Sequence, residues 1–392
     1  MQIRRLNGSE RYEAYLSAVY CFHMRVEDPE AAREGSEADT KEDWGAFDEN
    51  GKLMGRILNH KFDLYLDGET VRTGGIGGVA TFPEYRDRGV VKNIFAELLP
   101  AAYEDGEVIS LLYPFKHEFY RKQGYETVTA WNRYSFRPGL LCRYRFDGEV
   151  KKWEPGESVA EFLKVYNAFA PRFNLSLRRT EETMLAHMKV EKEYIDRKFS
   201  YVMKQDGNPI AYVIFRDVKN DPAAVMKADE CAWTCREGFL AILGFLARFE
   251  ADYGTIELLM PSGIDLLRIV ESPLAYEIKK VPQQGMMVRV INAKKLLESI
   301  KKPADCDFTI RISDEIIREN NISLRVLPDR VEEVRDCEPA DLILNVRTLG
   351  QLATGCLNLD EAMLRKDVTV NAKEELLRRV FIEKKIFVSE QF

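Results

Sequence analysis

The stretch Val79-Ala-Thr-Phe-Pro-Glu-Tyr-Arg-Asp-Arg-Gly-Val-Val-Lys92 constrains this chain more than any other. A strand pattern over Ile76 to Thr81 is cut by Pro83, and a helical pattern with apolar residues at 91, 94, 95, 98 and 102 takes over after Gly89. A strand that feeds a helix through a glycine turn aims the first unsatisfied N–H groups, and the positive end of the helix dipole, at one point. Such a point suits a pyrophosphate. Arg88 and Lys92 add positive charge, and Gly89 leaves the backbone open to a phosphate. A strand at Val108 to Tyr113 follows, so the two strands are expected to lie parallel through a right-handed crossover. Glycines at 74, 75, 77 and 78 weaken a regular strand and suggest a bulge or a close approach by a ligand, the ligand being favoured.

Two other motifs fail on context. Gly75-Ile-Gly-Gly-Val-Ala80 fits a dinucleotide fingerprint, but it lies inside a strand rather than at a helix start. His117-Glu118 opens like a zinc protease motif, yet Arg121 stands where the second histidine belongs.

Around this segment, apolar residues recur at helical spacing over Tyr12 to Phe22. Strand patterns at Trp44 to Phe47, Lys52 to Leu58 and Lys61 to Leu66, closed by the turn Asp67-Gly68, predict an antiparallel meander. Phe119-Tyr-Arg-Lys-Gln-Gly-Tyr125 reads as a short helix ended by Gly124. From about 150 a second unit is expected: helices over 156–197, a hairpin of Phe199 to Lys204 and Ile210 to Asp217, a helix from Arg236 to Tyr253 and a strand at Thr255 to Met260. Its order repeats the first unit without the arginine-glycine turn. A third unit is expected from about 285, with strands at Met287 to Ile291, Phe308 to Ile312, Ser323 to Leu327 and Asp341 to Val346, and helices at 348–354, 359–364 and 372–381.

A chain of 392 residues exceeds what one core sustains, which agrees with three units. The net charge of −7 gives no general attraction to a nucleic-acid backbone and favours a cationic small molecule, so nucleic acid is not expected as a partner. The basic amino terminus has no apolar run behind it, and Phe239 to Leu246 is far shorter than a membrane span, so a soluble cytoplasmic protein without a membrane partner is expected. Seven cysteines without CxxC spacing, and only four histidines, predict reduced thiols and no metal.

The strand, the Pro-x-Tyr-Arg-x-Arg-Gly turn, the helix after it and the later Phe-Tyr-x-x-x-Gly-Tyr resemble the GNAT superfamily of acetyltransferases. The whole chain is similar to the enhanced-intracellular-survival (Eis) type of N-acetyltransferase, which joins two GNAT-like regions to a sterol-carrier-protein-like domain. The resemblance implies an α/β (α+β) fold: a mixed-sheet GNAT domain with the acetyl-CoA site over 1–149, a degenerate GNAT-like domain over 150–284, and a sterol-carrier-like α+β domain over 285–392 whose C-terminus reaches the active site. It implies acetyl-CoA as co-substrate. Val79, Ala80 and Thr81 would receive the acetyl-pantetheine arm, Asp87, Arg88, Gly89, Val90, Val91 and Lys92 would form the pyrophosphate turn, and Phe115 and Lys116 would lie beside the cofactor. Tyr120 matches the general acid, and the terminal carboxylate of Phe392 the proton acceptor. Asp87 departs from the family, where arginine is frequent. A homo-oligomer, a hexamer, is also implied.

The chemistry suits these roles. An amine of pKa ~10.4 must lose its proton while attacking a thioester, and an α-carboxylate of pKa ~3.5 accepts it best through water or as the attacked amine becomes acidic. The acceptor expected is a primary amine, of a polycationic small molecule (aminoglycoside-like or polyamine) or of a lysine side chain. The alternative is a lipid or sterol carrier, or an acyl-CoA sensor, with a non-catalytic GNAT domain.

Overall fold

The computed structural model describes residues 1–38, 42–128, 131–188, 196–220, 223–271, 277–283, 285–335 and 339–390. Phe392 and positions 189–195 of the expected helical region lie outside the described residues. Three mixed sheets organise the chain. The first has the spatial order β1 (Gln2–Arg5), β2 (Glu42–Phe47), β3 (Leu53–Leu66), β4 (Glu69–Thr81), β5 (Ile109–Leu112), β14 (Met286–Val290) and β6 (Glu126–Val128). The second runs β13 (Lys279–Gln283), β7 (Trp131–Phe136), β12 (Thr255–Pro261), β11 (Ala223–Trp233), β10 (Asn208–Asn220), β9 (Asp196–Gln205) and β8 (Glu149–Lys152). The third runs β17 (Val331–Glu333), β16 (Ile322–Val326), β15 (Phe308–Ser313), β18 (Leu342–Asn345) and β19 (Thr369–Val370).

The first two sheets share one plan, antiparallel strands leading to a parallel pair joined through a helix. In the first, β4 and β5 are the pair and α3 (Val90–Glu104) the crossover, with α1 (Arg11–Cys21) and α2 (Pro29–Ala38) packed on each other and α1 on β3 and β4. In the second, β11 and β12 are the pair and α7 (Arg236–Ala247) the crossover. The helical region between them forms α5 (Ala160–Phe169) and α6 (Glu181–Met188), and α4 (His117–Arg121) and α8 (Leu266–Ile269) are single turns. The third sheet carries α9 (Ala293–Ser299), α10 (Val346–Thr354), α11 (Leu359–Ala362) and α12 (Glu374–Val380).

Long-range pairing departs from the local reading in three places. The segments 52–58 and 61–66 form one strand, β3, because Asn59 between them is buried and donates to Glu107 at 2.9 Å. Met286–Val290, expected in the third unit, lies between β5 and β6 of the first sheet, while β7 crosses into the second. These exchanges run across the expected boundaries at 149/150 and 284/285. β14 is buried along its whole length, and its one polar residue, Arg289, spends its charge internally: two bonds of 2.7 Å to Asp314, with Gln123 and Val290 carbonyls accepting at 3.0 and 2.7 Å. A buried pair of this kind needs such complete satisfaction to be tolerated. The helix from 236 stops at Ala247 rather than Tyr253.

A continuous core runs through all three units, and a separate cluster of Ile57, Ile94, Phe95, Leu98, Tyr120 and Met287 fills the space under α3. None of the described helices is long and apolar enough to cross a membrane.

Candidate active site

The site grows out of the parting of β4 and β5. Their ladder covers Thr73–Ile76 against Ile109–Leu112, after which β5 ends and β4 continues as far as Thr81. Backbone groups of Val79, Ala80 and Thr81 therefore face a gap on the β5 side. A register shift opposite Arg56 and Leu58 places a bulge here, with Gly78 at φ +54°. The glycine density thus has a local cause, since the bulge needs positive φ at 78. The close approach at Gly74 is made by protein atoms, a β-carbon there lying 2.3 Å from Glu107 and 2.6 Å from Asn59.

Beyond Thr81 the chain makes a turn and enters α3. Gly89 is the N-cap at φ +71°, with Asp87 at φ +61°, so two left-handed residues fold the turn back and point the first N–H groups of α3 outward. The left-handed backbone, more than crowding, is what requires glycine at 89, since a β-carbon would meet only Asn93 at 3.7 Å. Val90 is buried under the turn and Val91 half-buried, so both offer backbone; Asp87, Arg88 and Lys92 are exposed, Arg88 lying 5.5 Å over the Tyr85 ring. A helix N-terminus with exposed cations beside it is an arrangement that could hold an anion.

The opposite limb comes from β5. The chain passes Tyr113, Phe115 and Lys116 into α4, which carries Tyr120. Tyr120 is 2% exposed, with Phe95, Phe115, Phe119 and Tyr125 edge-on around its ring at 5.1–6.3 Å. Burial pushes its phenol pKa up, so it stays protonated and suits hydrogen-bond donation to a developing thiolate. Phe115 is 71% exposed and forms the outer wall. Gly124, read as a helix end, has a second reason: at φ +82° its α-carbon faces Arg289, whose Nε would be 2.6 Å from a β-carbon.

Residues that local reading missed complete the surroundings. The Tyr113 hydroxyl donates to the Glu390 carbonyl at 2.7 Å, which brings the C-terminal tail to the end of β5. Arg179 and Glu230, both fully buried, meet that tail from the second unit. Nothing local marks them, since an arginine after Leu177-Arg178 and a glutamate inside a strand read as surface charges. A cavity of about 360 Å³ lies between α1, α2 and β2–β3, with the buried Arg56–Asp43 pair at 3.2 Å and Arg11 in its wall. Among the described residues, Glu42, Asp105 and Glu107 come close enough together to hold a cation, but Lys61 already lies 2.5 Å from Glu42 and from Asp105.

The fold and this opening define the class. Residues 2–128 match the acetyltransferase (GNAT) domain family, and residues 293–389 the sterol carrier protein domain family. No curated protein matches the chain in sequence. Among solved structures, a probable N-acyltransferase from Enterococcus faecalis is 18% identical with a TM-score of 0.87, covering 100% of this chain and 99% of its own. A GCN5-related N-acetyltransferase from Anabaena variabilis is 16% identical with a TM-score of 0.87, and Eis1 from Mycobacterium abscessus 18% identical with a TM-score of 0.82, each match covering 100% of both chains. The chain thus carries a GNAT N-acetyltransferase domain. Over its whole length the fold is similar to those three structures, Eis1 among them, with tandem GNAT-like folds followed by the sterol carrier domain.

Proposed function

We propose that the chain transfers acetyl from acetyl-CoA to a primary amine by direct attack on the thioester. The observation that supports this reading is the parting of β4 and β5: β4 continues to Thr81 beyond its last partner on β5 and leads to the glycine-capped end of α3, while β5 leads to α4 and Tyr120. Val79, Ala80 and Thr81 would hold the pantetheine arm as an added strand would, Asp87 to Lys92 the pyrophosphate, and Phe115 and Lys116 the rim. Tyr120 is the general acid and the carboxylate of Phe392 the proton acceptor, acting through water. Support for the second role comes from Glu390, two residues upstream and bonded to Tyr113 beside the gap. In this division of labour, residues 1–149 bind the cofactor, 150–284 form a degenerate copy, and 285–392 bring the tail to the site. The acceptor is an amine of a polycationic small molecule or of a lysine side chain, a reading supported by the net charge of −7. A homohexamer and a cytoplasmic location rest on the family resemblance and the composition; light scattering tests the first.

The deciding experiment appends Gly-Ser to the C-terminus, which turns the terminal carboxylate into a neutral amide. Turnover is expected to fall at least 100-fold while acetyl-CoA affinity and melting temperature stay at the parent value. Tyr120→Phe, which keeps the ring packing, should cost 10- to 100-fold in kcat with binding retained. A tailed protein that works at the parent rate removes the carboxylate from the mechanism and leaves a water chain, or the acids Glu27 and Asp28, as acceptor.

A further inference from the structure

The second unit has a parting of strands like the first, and the chain's own tail fills it. The β11–β12 ladder covers Val225–Ala228 against Thr255–Leu258. Just past it on β11 stands Glu230, whose carboxylate accepts from Ser389; just past β12 stands Ser262, whose N–H donates to the Ile386 carbonyl at 3.0 Å and whose hydroxyl accepts from the Ile386 N–H at 3.1 Å. The segment 386–389 therefore bridges the two strands where they separate. Phe387 plugs the apolar end, edge-on to Phe169 and Phe173 at 5.7 and 6.3 Å, and its carbonyl accepts from Ser176 at 2.9 Å.

One side chain joins this plug to the opening in the first unit. Arg179 makes a two-pronged bond to Glu230 at 2.8 and 2.6 Å, donates to Glu390 at 2.6 Å and to Ser389 at 3.0 Å, and lies 4.0 Å over the Tyr166 ring. Burial pushes the Glu230 carboxyl up, but Arg179 and His187 outweigh it and hold the group well below the usual carboxylate range. The shift and the two-pronged geometry both favour the charged pair. Glu390 is at once tied to Arg179 by its side chain and to Tyr113 by its carbonyl. A planar, five-donor guanidinium can hold two carboxylates and a hydroxyl in one geometry, which a lysine cannot.

We propose that Arg179 is a positioning residue: fixed by Glu230 in the cleft of the second unit, it holds Ser389 and Glu390 in one register, so that the tail meets the opening of the first unit at Tyr113. The cleft that corresponds to a cofactor groove has become the seat of the chain's own C-terminal segment. This proposal rests on the acetyl transfer proposed above and on the tail's part in it.

The test uses the full chain with Glu390→Gln and Tyr113→Phe. Both leave Arg179 paired with Glu230, so neither creates an unpaired buried charge. Hydrogen exchange of the 385–390 peptide, and kcat and KM with the best acceptor from a panel of spermine, kanamycin and a lysine peptide, are measured with saturating acetyl-CoA. Expected are at least tenfold faster exchange in that peptide, a roughly tenfold lower kcat, and an unchanged acetyl-CoA affinity by calorimetry and melting temperature. Appending Gly-Ser to parent and to Glu390→Gln should bring the two to the same residual rate, since a tail without its function gains nothing from being held. Arg179→Lys should show the same pattern more strongly. Faster exchange with parent kcat overturns the positioning role, and so does an effect that stays fully additive with the Gly-Ser tail. A parent that releases no CoA with any acceptor instead overturns acetyl transfer, and this proposal with it.

Discussion

In the first unit β4 runs five residues, 77–81, past its last partner on β5, and eight more, 82–89, separate it from α3. In the second, β11 also runs five residues, 229–233, past Ala228, but only two, 234 and 235, separate it from α7. The two partings are alike and the turns beyond them are not. Eight residues with left-handed Asp87 and Gly89 leave the start of α3 at the surface. Two residues, with Cys235 extended at φ −144°, lead the chain straight into a helix whose Gly238 packs against the Ile210 carbonyl. The linings differ as well: Gly77 and Gly78 leave the first gap bare, whereas Asp229, Glu230 and Cys231 line the corresponding stretch of the second, where Glu230 receives the tail. The difference between the two partings, one with an open turn and one occupied by the tail, thus comes from turn length and from the size of a few side chains on one shared frame.

The largest expected effect breaks the first cleft alone. Gly89→Asp puts an L-residue at φ +71° and a negative charge where phosphate would bind, and should abolish acetyl-CoA binding by calorimetry while the fold survives. The parent should bind one acetyl-CoA per chain and the variant none. A variant that still binds one would mean that the second cleft takes cofactor, and the comparison would fall.

The smaller the region that decides a feature, the better the sequence showed it. The turn at 82–89 is set by Pro83, Gly89 and the helical period after it, and both the crossover and the placement of Tyr120 on a short helix follow from neighbours within a few residues. The recruitment of β14 was illegible because it depends on Arg289 finding Asp314, 25 positions away, and Gln123, 166 positions away. The strand patterns ending at Leu58 and starting at Lys61 read as separate because the partner of Asn59, Glu107, lies 48 positions away on the approach to β5. Arg179 and Glu230 carry the same lesson: 51 residues apart, they read as surface charges until the fold buries them together. The described residues of the expected site lie at the end of β4 and on the segments that follow β4 and β5, and Phe392 lies outside the described residues.

A middle-sized effect tests the plug. Phe387→Ala should open a cavity between Phe169 and Phe173 and cost about 3–5 kcal/mol of stability by denaturant unfolding. If the second cleft is sealed by its short turn as well as by the tail, the variant should still bind a single acetyl-CoA per chain. Two bound cofactors would show that the plug alone had excluded the second one.

The smallest effect contrasts the buried acids of the two units. Glu230 faces Arg179 and is held charged; Glu107, under the Gly74 end of β4, has Asn59 as its close partner and Lys61 at 3.7 Å, and burial pushes its pKa up to about 7. Its second oxygen and the Asn59 carbonyl oxygen are both buried without a partner, so the uncharged carboxyl is favoured there. A carboxyl whose folded pKa lies above its unfolded value contributes stability that is full below the unfolded pKa and lost as pH rises through the folded one. Between pH 4.5 and about 7 the parent should therefore lose up to about 3 kcal/mol at this site. Glu107→Gln stays neutral and offers the Asn59 oxygen a permanent N–H donor. It should lose that slope and melt higher than the parent at pH 8 while matching it near pH 4.5. Equal pH slopes in the two proteins would show that Glu107 titrates like an exposed acid, and the contrast with Glu230 would reduce to the presence of Arg179 alone.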